Sequence, residues 1–513
     1  GRAVLKDWCW APKSALQGAG RRSPARARSP STMVNVMLLV GMLVMMFMTL
    51  AGALYVLVYY QHEEDRNTAW APKIVVLVGL ALAAWVVLTL PLDVANTKVD
   101  GGLRIDVVWQ LIYVCIAVWC IAVIPFAIFY YESEDPDSNN SQLWSAAKWT
   151  LLSTFVSLFV TFIMWAFLGN AEVPVSRFSI DYASEPLLST NDMSYSRTCS
   201  SSVCSATAGT ITIGITPTVY IMAMISFLGW WFFVIFGGIG LAAMPLDLIN
   251  EYVNRPQRID LEEFAKQKML LNERAAKLLE IGRTFKAEGR QHNRTRKNRR
   301  AYNKFKQAVY FLDKDWEKVK VAYKQRGGNP LLFLFYLVLG VIALVISWLW
   351  IIHVIVYVFV DPPASPFLNS YFVSLDRVFP LFGTITYGIF SIYLLLCVLK
   401  GNIKFGLRIF LFQIHPMRIG ATMMNSLLFN TELILLCSVA VVHFCQDSFD
   451  QYTRLTDIDM LLGVQVQNLQ VLHYFFRNKV FLYVMTILAM LSFAWFIIFP
   501  KEKKQETFDD DDD

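Results

Sequence analysis

Charge is what this sequence has least of. Only 17% of its 513 residues are Asp, Glu, Lys or Arg, against about 25% in an ordinary soluble domain. The shortage falls in long blocks that carry no charge at all. That excludes a disordered chain, whose composition is polar and charged. Cysteine is scarce as well: eight residues, widely scattered, cannot build a disulfide scaffold. The six histidines occur singly. There is no H-E-x-x-H, no G-x-S-x-G nucleophile elbow, no Walker loop and no paired-cysteine metal pattern. No catalytic residue, metal site or cofactor is expected, and the chain reads as a non-enzyme.

What is abundant is apolar sequence, 56% of the chain. A bilayer core takes about 20 apolar residues per helix. Nine stretches meet that length, at roughly Val34–Tyr60, Ile74–Val94, Ile105–Tyr130, Ala147–Leu168, Ile211–Met244, Leu331–Val360, Phe379–Leu399, Leu427–Cys445 and Val480–Phe499. Lys and Arg lie outside them, Lys148 sitting at the edge of the fourth. Within hydrocarbon each such charge costs about 2.5–3.5 kcal/mol on insertion scales, so the partition is what lipid requires. The fold class is all-α: a polytopic membrane protein of about nine transmembrane helices, embedded in a lipid bilayer.

Basic residues then set the orientation. Loops on one side hold 31 Lys and Arg; those on the other hold 8. Positive loops stay in the cytosol, which puts the N-terminus outside or lumenal and the C-terminus inside. Most of the excess lies in one long loop, and the Lys501/Lys503/Lys504 cluster points the same way. Residues 1–32, with seven basic residues and one acid, oppose it. Met33 directly precedes the first apolar block and is read as the native start, a transit peptide being the alternative. The sequons at Asn139 and Asn293 fall in the expected cytosolic loops, where neither would carry a glycan. Cys199 and Cys204, in the Ser/Thr-rich outside loop 169–210, are a possible disulfide.

The expected layout is residues 1–32, a five-helix half at 33–248, a basic cytosolic insert at 249–330, a four-helix half at 331–500 and an acidic tail at 501–513. The insert has 21 basic and 10 acidic residues. Its second part spaces Tyr302, Phe305, Val309, Leu312, Trp316, Val319 and Tyr323 by three and four alternately, a heptad seam. Leu261, Phe264, Leu271 and Leu278 repeat the rhythm before it. Two such helices around the polar stretch 291–300 predict an antiparallel hairpin. It is a candidate docking surface for a protein partner, and its basic tip could meet anionic lipid. A nucleic-acid role is not expected.

A short repeat stands out. Leu90-Pro91-Leu92-Asp93-Val94 closes the second stretch and Met244-Pro245-Leu246-Asp247-Leu248 the fifth, on opposite faces of the membrane. Proline interrupts the backbone ladder and Asp can satisfy freed amides, so a helix-end bracket is one reading; an inverted repeat, seen in many transporters, is the other. The remaining ionisable groups in or near the spans are Asp106, Glu432, His353 and His443. Glu432 and His353 are the deep ones, suited either to a proton relay or to single interhelical hydrogen bonds. Gly237-Gly238-Ile239-Gly240 suits close helix packing.

The two Pro-Leu-Asp elements, the third-span exit Pro125-Phe126-Ala127-Ile128-Phe129-Tyr130-Tyr131-Glu132-Ser133-Glu134-Asp135 and Ala243 through Ile249 resemble the limb-region-1-type membrane proteins. Relatives in that family include the lipocalin-interacting membrane receptor and the lysosomal cobalamin transport escort protein. The resemblance implies nine spans in a plasma or endolysosomal membrane, and a receptor, signalling or transporter-escort role in trafficking rather than catalysis. It carries over no catalytic residues. A secondary transporter or channel built on the Pro-Leu-Asp elements and Glu432 is the alternative. Oligomeric state is not readable.

Overall fold

In the computed structural model the described residues are 36–62, 65, 70–99, 102–132, 139–180, 204–287, 296–324, 329–360, 363–379, 381–409, 412–414, 417, 420 and 422–499. The expectations on 1–32, on 501–513, on Asn293 and on Cys199 lie outside them, as do the side chains of Cys204 and Tyr302. Nine apolar helices long enough to cross a membrane are present among the described residues. They are span 1 (Val36–Tyr60), span 2 (Trp70–Val99), span 3 (Ile105–Glu132), span 4 (Asn139–Leu168), span 5 (Pro217–Val253), span 6 (Pro330–Val358), span 7 (Phe382–Phe405), span 8 (Met424–Ser448) and span 9 (Val480–Ile498). The protein is an all-α polytopic membrane protein.

The Pro-Leu-Asp elements do not end their helices. Span 2 runs through Pro91 to Val99 and span 5 through Pro245 to Val253. One missing N–H is tolerated where neighbouring helices enclose the chain. Pro91 is enclosed in that way: its Cγ lies 3.2 Å from where a side chain on Gly388 of span 7 would begin. Span 3 is interrupted by a π turn at Trp119–Val123 and span 6 ends in another at Val354–Val358. In span 3 the Thr154 hydroxyl of span 4 donates to the Ile121 carbonyl inside the turn, at 3.0 Å.

The segment 169–210, expected as an outside loop, holds strand in its described parts, 170–180 and 204 onward, which form a two-stranded antiparallel ribbon. Strand β1 (Asn170–Ile180) pairs with β2 (Cys204–Gly214) from Asn170↔Gly214 to Ile180↔Cys204. Ala171 and Val173 oppose Ile213 and Ile211 on one face, a cross-strand apolar pairing that stabilises a ribbon. Its base is tied to 468–470, where Glu172 N donates to Asn468 O and Gln470 N to Asn170 O, both at 2.9 Å.

By packing the chain divides into two units, one of 1–241 with 349–489 and one of 242–348 with 490–513. Span 8 is the axis of the first unit, with 83% of its apolar window buried, and span 4 is peripheral, with none. Glycines let helices meet backbone to backbone there. A Cβ on Gly240 would sit 1.8 Å from the Cys397 carbonyl oxygen, and one on Gly401 would sit 1.9 Å from that of Phe236. At the C-terminal end of span 8, Phe449 is ringed by Trp350, His353, Phe372 and Tyr387 at centroid distances of 4.9–5.5 Å. In the second unit Leu248 and Ile249 pack on Gly340.

Candidate functional site

The insert folds as two helices, Leu261–Ala287 and Arg296–Lys324. Phe264 stacks on Tyr323 at 4.2 Å and reaches Trp316 at 6.4 Å. Further along, Arg274 lies 3.9 Å from Asp315, and Gly282 makes room for the Phe305 ring. Contacts that climb one helix while descending the other make the pair antiparallel. Leu271 is buried; Phe264, Leu278, Phe305, Leu312, Trp316 and Val319 are half-buried. Leu261 and Val309 stand exposed, and Tyr323 is only just so. Leu261 faces away from the seam because it belongs to a second stripe. Leu261, Ala265, Met269, Asn272, Ala276, Leu279 and Arg283 recur at helical spacing, and all are exposed. Met269 is 73% exposed and Leu279 58%. The heptad search missed this stripe, because it scores only one face of a helix.

In the first unit Asp93 is fully buried. Its Oδ2 accepts from Trp109 Nε1 at 2.9 Å and from the Ile458 amide at 3.0 Å, while Oδ1 accepts from the Asp457 amide at 3.4 Å. The carboxylate thus caps the short helical segment that leads into the π-helix Asp459–Val466, and charge-assisted bonds of this type are the strong ones. Asp247, in the second unit, is only half-buried beside Leu248 and Ile249. The two copies share a sequence and not a setting.

Five residues past Asp93, Lys98 pairs with Asp376 and lies 3.5 Å over the Tyr452 ring. Asp376 also accepts from Tyr452 OH at 2.9 Å and from the Gly383 amide at 2.8 Å. Burial pushes the Tyr452 phenol well up from its usual range. Asp459, bonded to the Gln446 amide at 2.9 Å, is also raised by burial. Together these groups tie the segments 367–378 and 450–466 to spans 2 and 7. None of this was legible in sequence, because each partner lies far along the chain.

The intramembrane candidates are kept apart. His353 is buried and its Nε2 donates to the Ser448 carbonyl at 2.9 Å, leaving Nδ1 as an acceptor with no partner among the described residues. Glu432 lies sixteen residues earlier on span 8, about 24 Å at about 1.5 Å per residue, so the two do not share one relay. Glu432 is half-buried, next in sequence to Thr431, which together with Trp119 in the π turn of span 3 packs on Gly79 of span 2. No hydrogen bond reaches Glu432 among the described residues. His443, expected near water, is buried instead, with Nδ1 accepting from Trp230 Nε1 at 3.2 Å beside Ser226 Oγ at 3.1 Å. Asp106 makes a surface pair with Arg104 at 3.7 Å.

A further acid escaped the sequence reading. Asp65, between spans 1 and 2, is buried and accepts from the Met424 amide at 3.0 Å and from Tyr131 OH at 3.1 Å. It caps span 8 from a distance, since Met423 offers no side-chain cap. Asp65→Ala is expected to lower unfolding stability by about 1–2 kcal/mol, the usual worth of an N-cap, read as a lower midpoint of thermal unfolding in detergent. Cys115, Cys120, Cys397, Cys437 and Cys445 are free thiols. Among the described residues no His, Cys, Asp and Glu group is arranged to hold a metal ion.

With this geometry in hand, three relatives are informative. The chain is 38% identical over 507 residues to a LIMR family protein of Dictyostelium discoideum, covering 92% of this chain and 99% of that one. It is 32% identical to a LIMR family protein of rice, Oryza sativa subsp. japonica, over 503 residues, 92% and 98% of the two chains. It is also 32% identical to one of Arabidopsis thaliana over 496 residues, 92% and 97%. No solved structure matches significantly. The profile described as LMBR1-like membrane protein matches residues 37–318 and 329–499, which takes in all nine spans and most of the hairpin, so the chain belongs to the LMBR1-like family of membrane proteins.

Proposed function

We propose that the chain is a non-enzymatic membrane receptor or scaffold that recruits a cytosolic protein through its helical hairpin, in trafficking or signalling at a plasma or endolysosomal membrane. The observation that carries this reading is the second stripe on Leu261–Ala287. A helix whose own seam is already packed against its neighbour, and which still presents Leu261, Met269 and Leu279 to solvent, has apolar surface left for a partner. The excess of basic residues in the insert favours the cytosolic side for it and an acidic partner. Backbone-to-backbone packing of spans 5 and 7 at Gly240 and Gly401 supports a scaffold.

The test leaves the seam intact. Met269→Glu with Leu279→Glu is expected to abolish recovery of crosslinked partners from native membranes, with expression and membrane insertion unchanged. Deleting 261–323 is expected to do the same. Undiminished recovery from both variants would refute the reading. A transporter-escort role is the same surface used on a membrane-embedded partner, and the same variants report on it.

A further inference from the structure

Span 8 is enclosed along almost its whole length, but one face of its first half is not. Asn425, Phe429, Glu432 and Leu436 are half-buried, at a spacing of four, three and four, whereas 437–446 are all buried. The open stripe therefore begins at the N-terminal end of the helix, where Asn425 Nδ2 donates to Glu132 at 2.7 Å. It stops at Leu436, whose carbonyl meets Gly229 of span 5. Glu432 sits inside this stripe about two turns from the helix start at Met424. Near its neighbour Thr431, which packs with Trp119 on Gly79 of span 2, span 3 is wound into its π turn at Trp119–Val123, and π turns inside helices recur at functional sites. The titratable group in that turn is the buried Cys120 thiol. On the neighbouring turn Thr431 and Asn430 are spoken for: Thr431 Oγ1 donates to the Leu427 carbonyl and Asn430 accepts from Asn402 Nδ2.

Among the described residues no cation and no hydrogen-bond donor lies beside this carboxyl, and a bare charge is costly inside a lipid-embedded bundle. Other buried acids of this unit differ in this respect. Asp93 is held by three donors and Asp65 by two. From this contrast and the one-ended stripe we propose that Glu432 is a proton-binding site within the membrane, reached along the Asn425–Leu436 face and closed off beyond Leu436. This goes beyond the recruiting role of the hairpin and does not depend on it.

The full-length protein in lipid nanodiscs is treated with dicyclohexylcarbodiimide, which enters apolar regions and modifies protonated carboxyls, and the adduct is mapped by mass spectrometry. In parallel, infrared spectra of the wild type and Glu432→Gln are compared at neutral pH. The expected result is an adduct on the peptide carrying Glu432, at least ten-fold above that on the peptide carrying Asp93, together with a carboxylic-acid carbonyl band that Glu432→Gln removes. Phe429→Trp, which narrows the stripe, is expected to reduce the adduct several-fold while the band remains. Absence of the band, with a carboxylate band lost from Glu432→Gln in its place, would overturn the proposal; so would a band without any adduct, because the stripe would then give no access. Neither readout involves the hairpin or its partners.

Discussion

Gly240→Ala in span 5 is expected to be among the most damaging single-methyl additions to this protein. The new Cβ would lie 1.8 Å from the Cys397 carbonyl oxygen and 2.5 Å from its carbon. These are backbone atoms of span 7, so no side chain can rotate aside and a whole helix must move. Overpacking costs about 1–3 kcal/mol when neighbours can adjust; here they cannot, and a loss of about 3 kcal/mol or more is expected. Gly401→Ala repeats the test from the other helix, against the Phe236 carbonyl oxygen at 1.9 Å. Gly41→Ala is the control, since nothing lies within 4 Å of its added methyl. The measurement is the fraction of monodisperse protein recovered from detergent, followed by thermal unfolding. The Gly240 and Gly401 variants should show sharp loss in both, and the Gly41 variant none. Equal behaviour of all three would mean that spans 5 and 7 do not meet at these glycines.

Asp93→Ala is the second large effect. It removes the acceptor for Trp109 Nε1 and for the amides of Asp457 and Ile458, leaving three donors in a site with no access to water. Each buried unsatisfied donor costs about 1–3 kcal/mol, so a loss of about 3–5 kcal/mol is expected. The damage should be directional. The segment 456–466 loses its cap while the hairpin, in the other packing unit, keeps its own contacts. Limited proteolysis should therefore cut the variant in the 450–479 region much faster than the wild type, with the rate of cutting within 261–324 unchanged. Trp109→Phe removes one of the three donors together with its bond and should have a smaller effect in the same direction. Asp247→Ala is the informative comparison: if the two Pro-Leu-Asp elements were equivalent brackets the two losses would match, whereas the half-buried setting of Asp247 leads to a markedly smaller one.

These two cases show where sequence reasoning reached and where it stopped. The nine spans were legible because lipid imposes a length and a composition that can be counted on a single chain. The Gly237–Gly240 stretch was legible as a packing device, since three glycines in four positions of an apolar helix have few other uses. Its partner at Cys397 was not, because nothing local to either helix encodes their crossing. Asp93 was singled out, but as the end of a helix. The helix in fact continues to Val99, and the groups that the carboxylate serves lie 364 and 365 positions away. The same distance hid the tie between Lys98 and Asp376 and the cap that Asp65 gives to span 8. The ribbon of 170–180 and 204–214 was overlooked because Ser, Thr and Ala dilute its alternation, and β1 contains Pro174. The hairpin seam was read from its heptads, whereas Leu261 was assigned to that seam although it lies on the outer stripe. In each case the local period was visible and the long-range partner was not.

Cysteine labelling at two exposed positions tests the central claim most directly, namely that the basic hairpin and the segment between spans 8 and 9 lie on opposite sides of a membrane. Leu279 is 58% exposed on the hairpin and Leu455 is 80% exposed after span 8, with spans 6, 7 and 8 between them. In sealed cells or vesicles carrying either Leu279→Cys or Leu455→Cys, a membrane-impermeant maleimide applied from the non-cytosolic side should label position 455 readily and position 279 only after permeabilisation. Labelling of both positions before permeabilisation, or of position 279 alone, would contradict the account.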